Sequence, residues 1–178
     1  MTKYNSTDNK TVLDLSDDPA NFNWGSDWRM PTTAEFQALG AAVNAVWTTN
    51  YQGSGVNGLL CTDKNDSSKT LFFPACGFCN NNSVRYAGSY GDYWSSSISS
   101  TSVQYARFLF SNSSRVNWQD NGYRYYGFPV RAVHVRDYLK FTALESGTFT
   151  LTIPANVNTS YITSISYSLN NGATWVTT

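Results

Sequence analysis

The sequence predicts an α+β domain built from one capped helix near the N-terminus and many short antiparallel strands, with a C-terminal all-β appendage. Three observations carry that expectation. Thr32 and Glu35 form a T-x-x-E capping box ahead of apolar residues at three- and four-residue steps. After Thr48 the texture becomes short apolar runs broken by Gly, Asn and Ser turns, so helix and strands are segregated rather than alternating. The composition agrees: the chain carries 22 Ser, 19 Thr and 18 Asn, and 16% of it is aromatic. Its 178 residues suit one domain, or one domain and part of another, and 41% hydrophobic residues supply a core.

Element by element, Asp17-Asp18-Pro19-Ala20 predicts a short helical turn, with an aspartate cap and proline at the first helical position. The main helix is expected over 32–47, with Phe36, Leu39, Val43, Val46 and Trp47 on its apolar face. Gly40 costs such a helix about 1 kcal/mol against alanine, which points to a neighbour packed closely there. Strands are expected near 58–62, 70–73, 103–110, 114–118 and 128–135. In 103–110, Ala106, Phe108 and Phe110 share one face, while Tyr105, Arg107 and Leu109 share the other. The helix is expected to pack against the Phe108 and Phe110 side. Residues 137–178 alternate cleanly around Tyr138–Phe141, Gly147–Ile153 and Tyr161–Leu169, and Asn170-Asn171-Gly172 predicts a hairpin turn. They read either as a β-appendage docked on the first domain, 1–136, or as the start of an immunoglobulin-like sandwich.

Charge and motif content exclude most chemistries. Net charge is +0, so no global basic field invites nucleic acid, and no apolar stretch approaches the roughly 20 residues of a membrane span. With one histidine and scattered carboxylates, a catalytic constellation is not expected. Cys76-Gly77-Phe78-Cys79 has the C-x-x-C spacing of redox dithiols and half-zinc sites, but only Cys61 and His134 remain as further soft ligands. Asn80-Asn81-Asn82-Ser83 reads as a loop where a redox motif would open a helix. Buried or incidental thiols, a disulfide, and a metal or redox pair all stay open, in that order, and no metal or cofactor is expected. Residues 1–20 are polar and show no cleavage-site pattern. Arg29 and Arg131 each stand in an aromatic, apolar string, where a guanidinium requires a carboxylate, carbonyl or ring-face partner.

Charge is uneven along the chain. Residues 1–79 carry a net −3, residues 80–136 a net +4 from six Arg and two Asp, and residues 137–178 a net −1. The middle segment also holds seven of the 12 tyrosines. Arg, Tyr, Trp, Ser and Asn together are the material of interface hot spots and antibody-like paratopes. Trp94, Phe108 and Phe110 read as core within it.

Several strings resemble a known family. Leu13-Asp14-Leu15-Ser16-Asp17-Asp18-Pro19-Ala20-Asn21-Phe22-Asn23-Trp24-Gly25 leads into Trp28-Arg29-Met30-Pro31-Thr32 and Glu35. Leu71-Phe72-Phe73-Pro74-Ala75, Gly88-Ser89-Tyr90-Gly91, Tyr93-Trp94-Ser95-Ser96-Ser97 and Arg124-Tyr125-Tyr126-Gly127-Phe128 follow, and Val130-Arg131-Ala132-Val133 closes the series. Over residues 10–135 the chain resembles the Fibrobacter succinogenes major paralogous domain of Bacteroidetes and their phages. That domain is related to the formylglycine-generating-enzyme branch of the C-type-lectin fold. The chain departs from the family pattern at Pro129, Cys76 and Cys79. The resemblance implies a C-type-lectin-like fold, also used by variable proteins of diversity-generating retroelements, on a bacterial cell surface or phage virion. The enzymatic branch needs a cysteine pair near its C-terminal Arg/Tyr segment, and residues 80–178 contain no Cys. Calcium-binding lectins need a proline loop that is missing, and only Trp118-Gln119-Asp120 is similar to their Trp-Asn-Asp.

The resemblance therefore implies a non-catalytic recognition domain, with an unidentified protein or glycan on a cell surface as partner. Variable proteins change most at adenine-containing codons, and the matching residue types are dense between Ser95 and Tyr126. The contact residues expected on that basis are Ser99, Ser100, Tyr105, Asn117, Trp118, Asp120, Asn121, Tyr123 and Tyr125. The rival expectation is a structural or adhesion module of a surface or phage tail protein, without a variable site of its own.

Overall fold

The computed structural model describes residues 3–134, and beyond them the backbone of residues 140–143, 149–152, 166–167 and 176–177. The chain divides into two compact units, Met1–His134 and Val135–Thr178. The described residues form a mixed structure of two α-helices and many antiparallel strands in small sheets, an α+β architecture.

The first helix, α1 (Pro19–Trp24), begins where the aspartate cap and proline predict. Asp18 does more than cap. One carboxylate oxygen accepts the N–H groups of Ala20 at 2.8 Å and Asn21 at 3.2 Å, and the other accepts that of Met30 at 2.8 Å. Three donors satisfy a charge that is almost wholly buried. The same carboxylate thus fixes α1 to the segment that launches the next helix. Between them, β1 (Trp28–Arg29) pairs antiparallel with β10 (Val133–His134), tying the segment ahead of the next helix to the C-terminal edge of the first unit.

Helix α2 (Thr33–Ala42) carries the predicted capping box. Thr32 N–H donates to Glu35 Oε2 at 2.8 Å, and Glu35 N–H donates to Thr32 Oγ1 at 3.3 Å. Arg29 donates to both oxygens of the same carboxylate, at 2.7 and 2.5 Å. That bidentate pair is the main cause holding the Glu35 carboxyl down at about 2. Arg131 finds a ring face instead, its guanidinium lying 6.0 Å from the Phe73 centroid. Both arginines therefore have the structural partners their sequence settings required.

The helix is shorter than 32–47. It ends at Ala42, and Val43–Thr48 forms β2, paired with β3 (Gly58–Asp63) from Val43↔Asp63 to Thr48↔Gly58. Val43 and Val46 are β-branched and favour the pleated backbone. Val43, Ala45 and Trp47 turn inward with the period of a strand, while Val46, expected on the helical face, is 60% exposed. β4 (Thr70–Pro74) completes this three-stranded sheet.

A second three-stranded sheet contains β7 (Gly91–Ile98), β8 (Tyr105–Ser111) and β9 (Val116–Tyr123), in that order. Between the sheets in sequence, β5 (Phe78–Asn80) and β6 (Ser83–Arg85) form a hairpin. Its two-residue turn is Asn81-Asn82, both at positive φ, so the Asn run read as a loop is a hairpin turn. Among the described residues of the strand expected over 128–135, Val133–His134 is strand; Pro129 has no N–H to give a ladder, and its carbonyl accepts Trp94 N–H instead.

Strand β8 is buried on both faces. Leu109, wholly buried, joins Phe36, Val43, Leu59, Cys61, Phe73 and Tyr93 in one core. Phe108 and Phe110 join Phe128 in another, with Trp94, Phe78, Tyr90 and Tyr126 packed around it. The expectation that α2 packs on the Phe108/Phe110 side is corrected: Phe36 and Leu39 meet the Leu109 face. The sequence pattern identifies both faces but does not say which one the helix covers.

In the C-terminal unit, β11 (Lys140–Ala143) pairs antiparallel with β12 (Phe149–Thr152), and β13 (Ser166–Tyr167) with β14 (Val176–Thr177). The predicted turn at Asn170-Asn171-Gly172 lies outside the described residues.

Cores on both faces of β8 make a direct prediction. Leu109→Ala should cost about 2–5 kcal/mol and Phe108→Ala about 3–5 kcal/mol in urea denaturation. A loss below about 1 kcal/mol for either would show that its face is not packed as described.

Candidate functional site

The candidate site follows from the length of α2. Ten residues at about 1.5 Å each give a rod of roughly 15 Å. It lies against β7, β8 and β9 and covers the part of their face that carries Tyr93, Leu109, Val116 and Trp118. Beyond the helix N-terminus the same sheet face continues without a helix over it. There the cross-strand pairs are Arg107↔Asn121 and Tyr105↔Tyr123. Directly opposed residues share a face, and alternation places both pairs on the Leu109 side.

The tyrosines form a connected group. Tyr105 and Tyr123 have ring centroids 4.6 Å apart, and Tyr123 stacks on Tyr125 at 5.1 Å. Tyr125 meets Tyr126 edge-on at 4.8 Å and is 67% exposed. Hydrogen bonding to Tyr123 pushes the Tyr105 phenol above its ordinary value, and hydrogen bonding to Tyr126 does the same for Tyr125, so these rings stay neutral at physiological pH. A cleft of about 570 Å³ opens beside them, lined by Gln104, Tyr123, Arg124 and Tyr125. That is within the size range of small-ligand sites. Arg124 is anchored from behind, donating to the carbonyls of Tyr4 and Val103. A second cleft, of about 340 Å³, adjoins Arg107 and includes Thr33, Ser97, Ser99, Ser100 and Gln119 in its lining.

The nine residues expected to make contacts are divided by the fold. Ser100, Tyr105, Asn121, Tyr123 and Tyr125 lie on or beside the uncovered face. Ser99 also lines the smaller cleft but is only 6% exposed, and its hydroxyl is engaged with that of Thr101 at 2.9 Å. Trp118 packs on the α2 core; a Cβ on Gly40 would come within 2.5 Å of its indole nitrogen. This close approach is what the glycine in the helix signalled, and it gives Trp118 a structural position. Asn117 and Asp120 lie opposite Phe110 and Phe108, so they belong to the other face of the sheet. Arg107, Gln104 and Gln119 were not among the expected contacts. The alternation of Tyr105, Arg107 and Leu109 was the signal for Arg107, whereas the two glutamines carry no sequence signal of their own.

On the other face, Asp92 is buried opposite Phe110. Burial lifts its carboxyl to about 7, and the charge of Asp120 adds to the lift. Asp120 itself has Arg115 at 3.4 Å, and the Arg115 guanidinium lies over the Phe110 ring.

The cysteines take two environments. Cys61 is buried, and desolvation pushes its thiol up to about 11. Cys76 and Cys79 are exposed free thiols, with the Cys76 sulfur 3.7 Å from the Tyr93 hydroxyl. Among the described residues no group of three or more His, Cys, Asp or Glu is placed to hold a metal ion, and no helix is long and apolar enough to cross a membrane.

The raised Asp92 carboxyl makes stability depend on pH. Between about pH 4 and 7 the folded state keeps a proton that the unfolded state has released, so this group's contribution falls as pH rises through that window. Asp92→Asn should therefore raise the melting temperature at pH 8 and gain less at pH 4. Thermal melts at the two values check this, and a variant less stable at pH 8 would contradict it.

No family model matches the chain, no curated protein matches it, and no solved structure matches it.

Proposed function

We propose that the first unit is a non-catalytic recognition domain of C-type-lectin-like type, which presents the uncovered face of β7–β9 to a protein or glycan on a cell surface. The observation that carries this reading is the end of the sheet that α2 leaves bare. There Ser100, Tyr105, Arg107, Asn121, Tyr123 and Tyr125 lie side by side, and none of them belongs to either core cluster. Tyrosines give large, rigid contact area at low entropic cost, and Ser, Asn and Arg add adaptable hydrogen bonds. The family resemblance adds the expectation that these positions vary, as in variable proteins of diversity-generating retroelements.

A second reading is a structural or adhesion module. Its specific support is a different surface, where Phe22 and Trp24 are exposed and Trp24, Trp28 and Arg131 line a cleft of about 590 Å³. Exposed apolar groups of this kind suit contact with a neighbouring module.

Replacing Tyr105, Asn121, Tyr123 and Tyr125 together by serine separates the two. Surface changes usually stay within about 0.5 kcal/mol each, so the melting temperature should fall by only a few degrees. Binding to intact bacterial cells, or to a glycan array on which the parent gives a signal, should be abolished, because a few aromatic anchors usually carry most of the affinity. A folded variant that still binds would move the site to the tryptophan surface, and a variant that unfolds would make these rings part of the core.

A further inference from the structure

The smaller cleft on the uncovered face has an unusual balance of donors and acceptors. Its lining includes Lys10, Thr33, Ser97, Ser100, Arg107 and Gln119, and no carboxylate. Arg107 is half-buried and donates one N–H, from Nη1, to the Gln119 carbonyl at 3.1 Å. A guanidinium has five N–H donors and no acceptor. Among the described residues no carboxylate pairs with Arg107.

The neighbours add donors rather than consume them. Ser97 Oγ accepts the Thr33 N–H at 3.0 Å, which leaves its own hydroxyl proton to give. The Gln119 side-chain oxygen accepts from Gln37 Nε2 at 3.0 Å, which leaves the Gln119 amide N–H groups to give. Ser100 is exposed at the rim. Lys10, at the edge, is paired with Asp14, so the Arg107 guanidinium supplies the net positive charge of the lining.

A half-buried guanidinium ringed by spare donors is matched by an anion with several acceptor oxygens. Hydroxyl and amide donors beside it match sugar hydroxyls, and the Tyr105 and Tyr123 rings next along the same face offer planes for a pyranose ring.

We propose that this cleft binds the carboxylate of an acidic sugar, a uronic or sialic acid, with Arg107 as the anchor. The proposal rests on the reading of the uncovered face as a recognition surface and names the ligand class for it. In this arrangement Arg107 takes the carboxylate, and Ser97, Ser100 and Gln119 direct protons to its oxygens or to ring hydroxyls. The Arg107 charge makes the affinity fall with salt.

Titration of the full chain with glucuronate, N-acetylneuraminate and glucose, followed by amide and arginine side-chain NMR, tests the assignment. The two acids should shift the Arg107 side-chain signal and the Thr33, Ser97 and Gln119 amides saturably, while glucose leaves them unmoved. Arg107→Gln should weaken acid binding about tenfold or more with the rest of the spectrum unchanged, and Arg107→Lys should retain part of it. If Arg107→Gln does not fold, the wild-type contrast between acids and glucose still decides. Equal response to glucose, shifts confined to other residues, or no response to either acid overturns the proposal. Should the acids fail while the tetra-serine variant still loses binding to cells or array, the recognition face stands and only its acidic-sugar assignment falls.

Discussion

Burial of β8 on both faces is the constraint on which the rest of this structure depends. A strand alternates its side chains, so two buried faces require a covering layer on each side. On one side Leu109 is met by α2 and by the β2–β3–β4 sheet through Phe36, Leu59 and Phe73. On the other, Phe108 and Phe110 are met by Phe128, Trp94 and the β5–β6 hairpin through Phe78. Both layers are supplied by short elements, so the sheet extends past them. The bare end is a consequence of covering a long strand with a ten-residue helix.

The same economy explains why the uncovered face can be rich in polar and aromatic groups at little cost to the fold. The ends of α1 and α2 are secured by Asp18 and by the Thr32–Glu35–Arg29 cluster, at a distance in sequence from 97–125. Trp118 locks β9 to α2 at Gly40, and Gly122 makes room for the Phe128 ring, which a Cβ there would approach to 2.9 Å. Between these two fixed points β9 is free to carry Gln119 and Asn121 outward.

Much of this was legible in the sequence, and the failures have physical causes. The capped start of α2, the cap of α1, the two faces of β8 and the partners demanded by Arg29 and Arg131 all follow from local rules. The end of α2 did not, because Phe36, Leu39, Val43 and Trp47 satisfy a helical period and, from Val43 on, a strand period as well. Tertiary pairing with β3 decides between them. β9 runs to Tyr123 through Asn, Gln, Asp and Gly, which have little strand preference of their own, because β8 offers a ladder. For the candidate site, residue type found Tyr105, Tyr123 and Tyr125. It could not separate Asn117 and Asp120 from Asn121, since a bulge between Phe108 and Phe110 shifts the register there.

The central claim is that the uncovered end of the sheet is independent of the fold that supports it. The most direct measurement randomises Ser100, Tyr105, Asn121, Tyr123 and Tyr125 together and sorts the displayed library for protease resistance. A parallel library at Tyr93, Phe108, Leu109 and Phe110 serves as the reference. The account predicts that most members of the first library resist cleavage as the parent does, while nearly all of the second are lost. A first library that returns only the parental residues would contradict it.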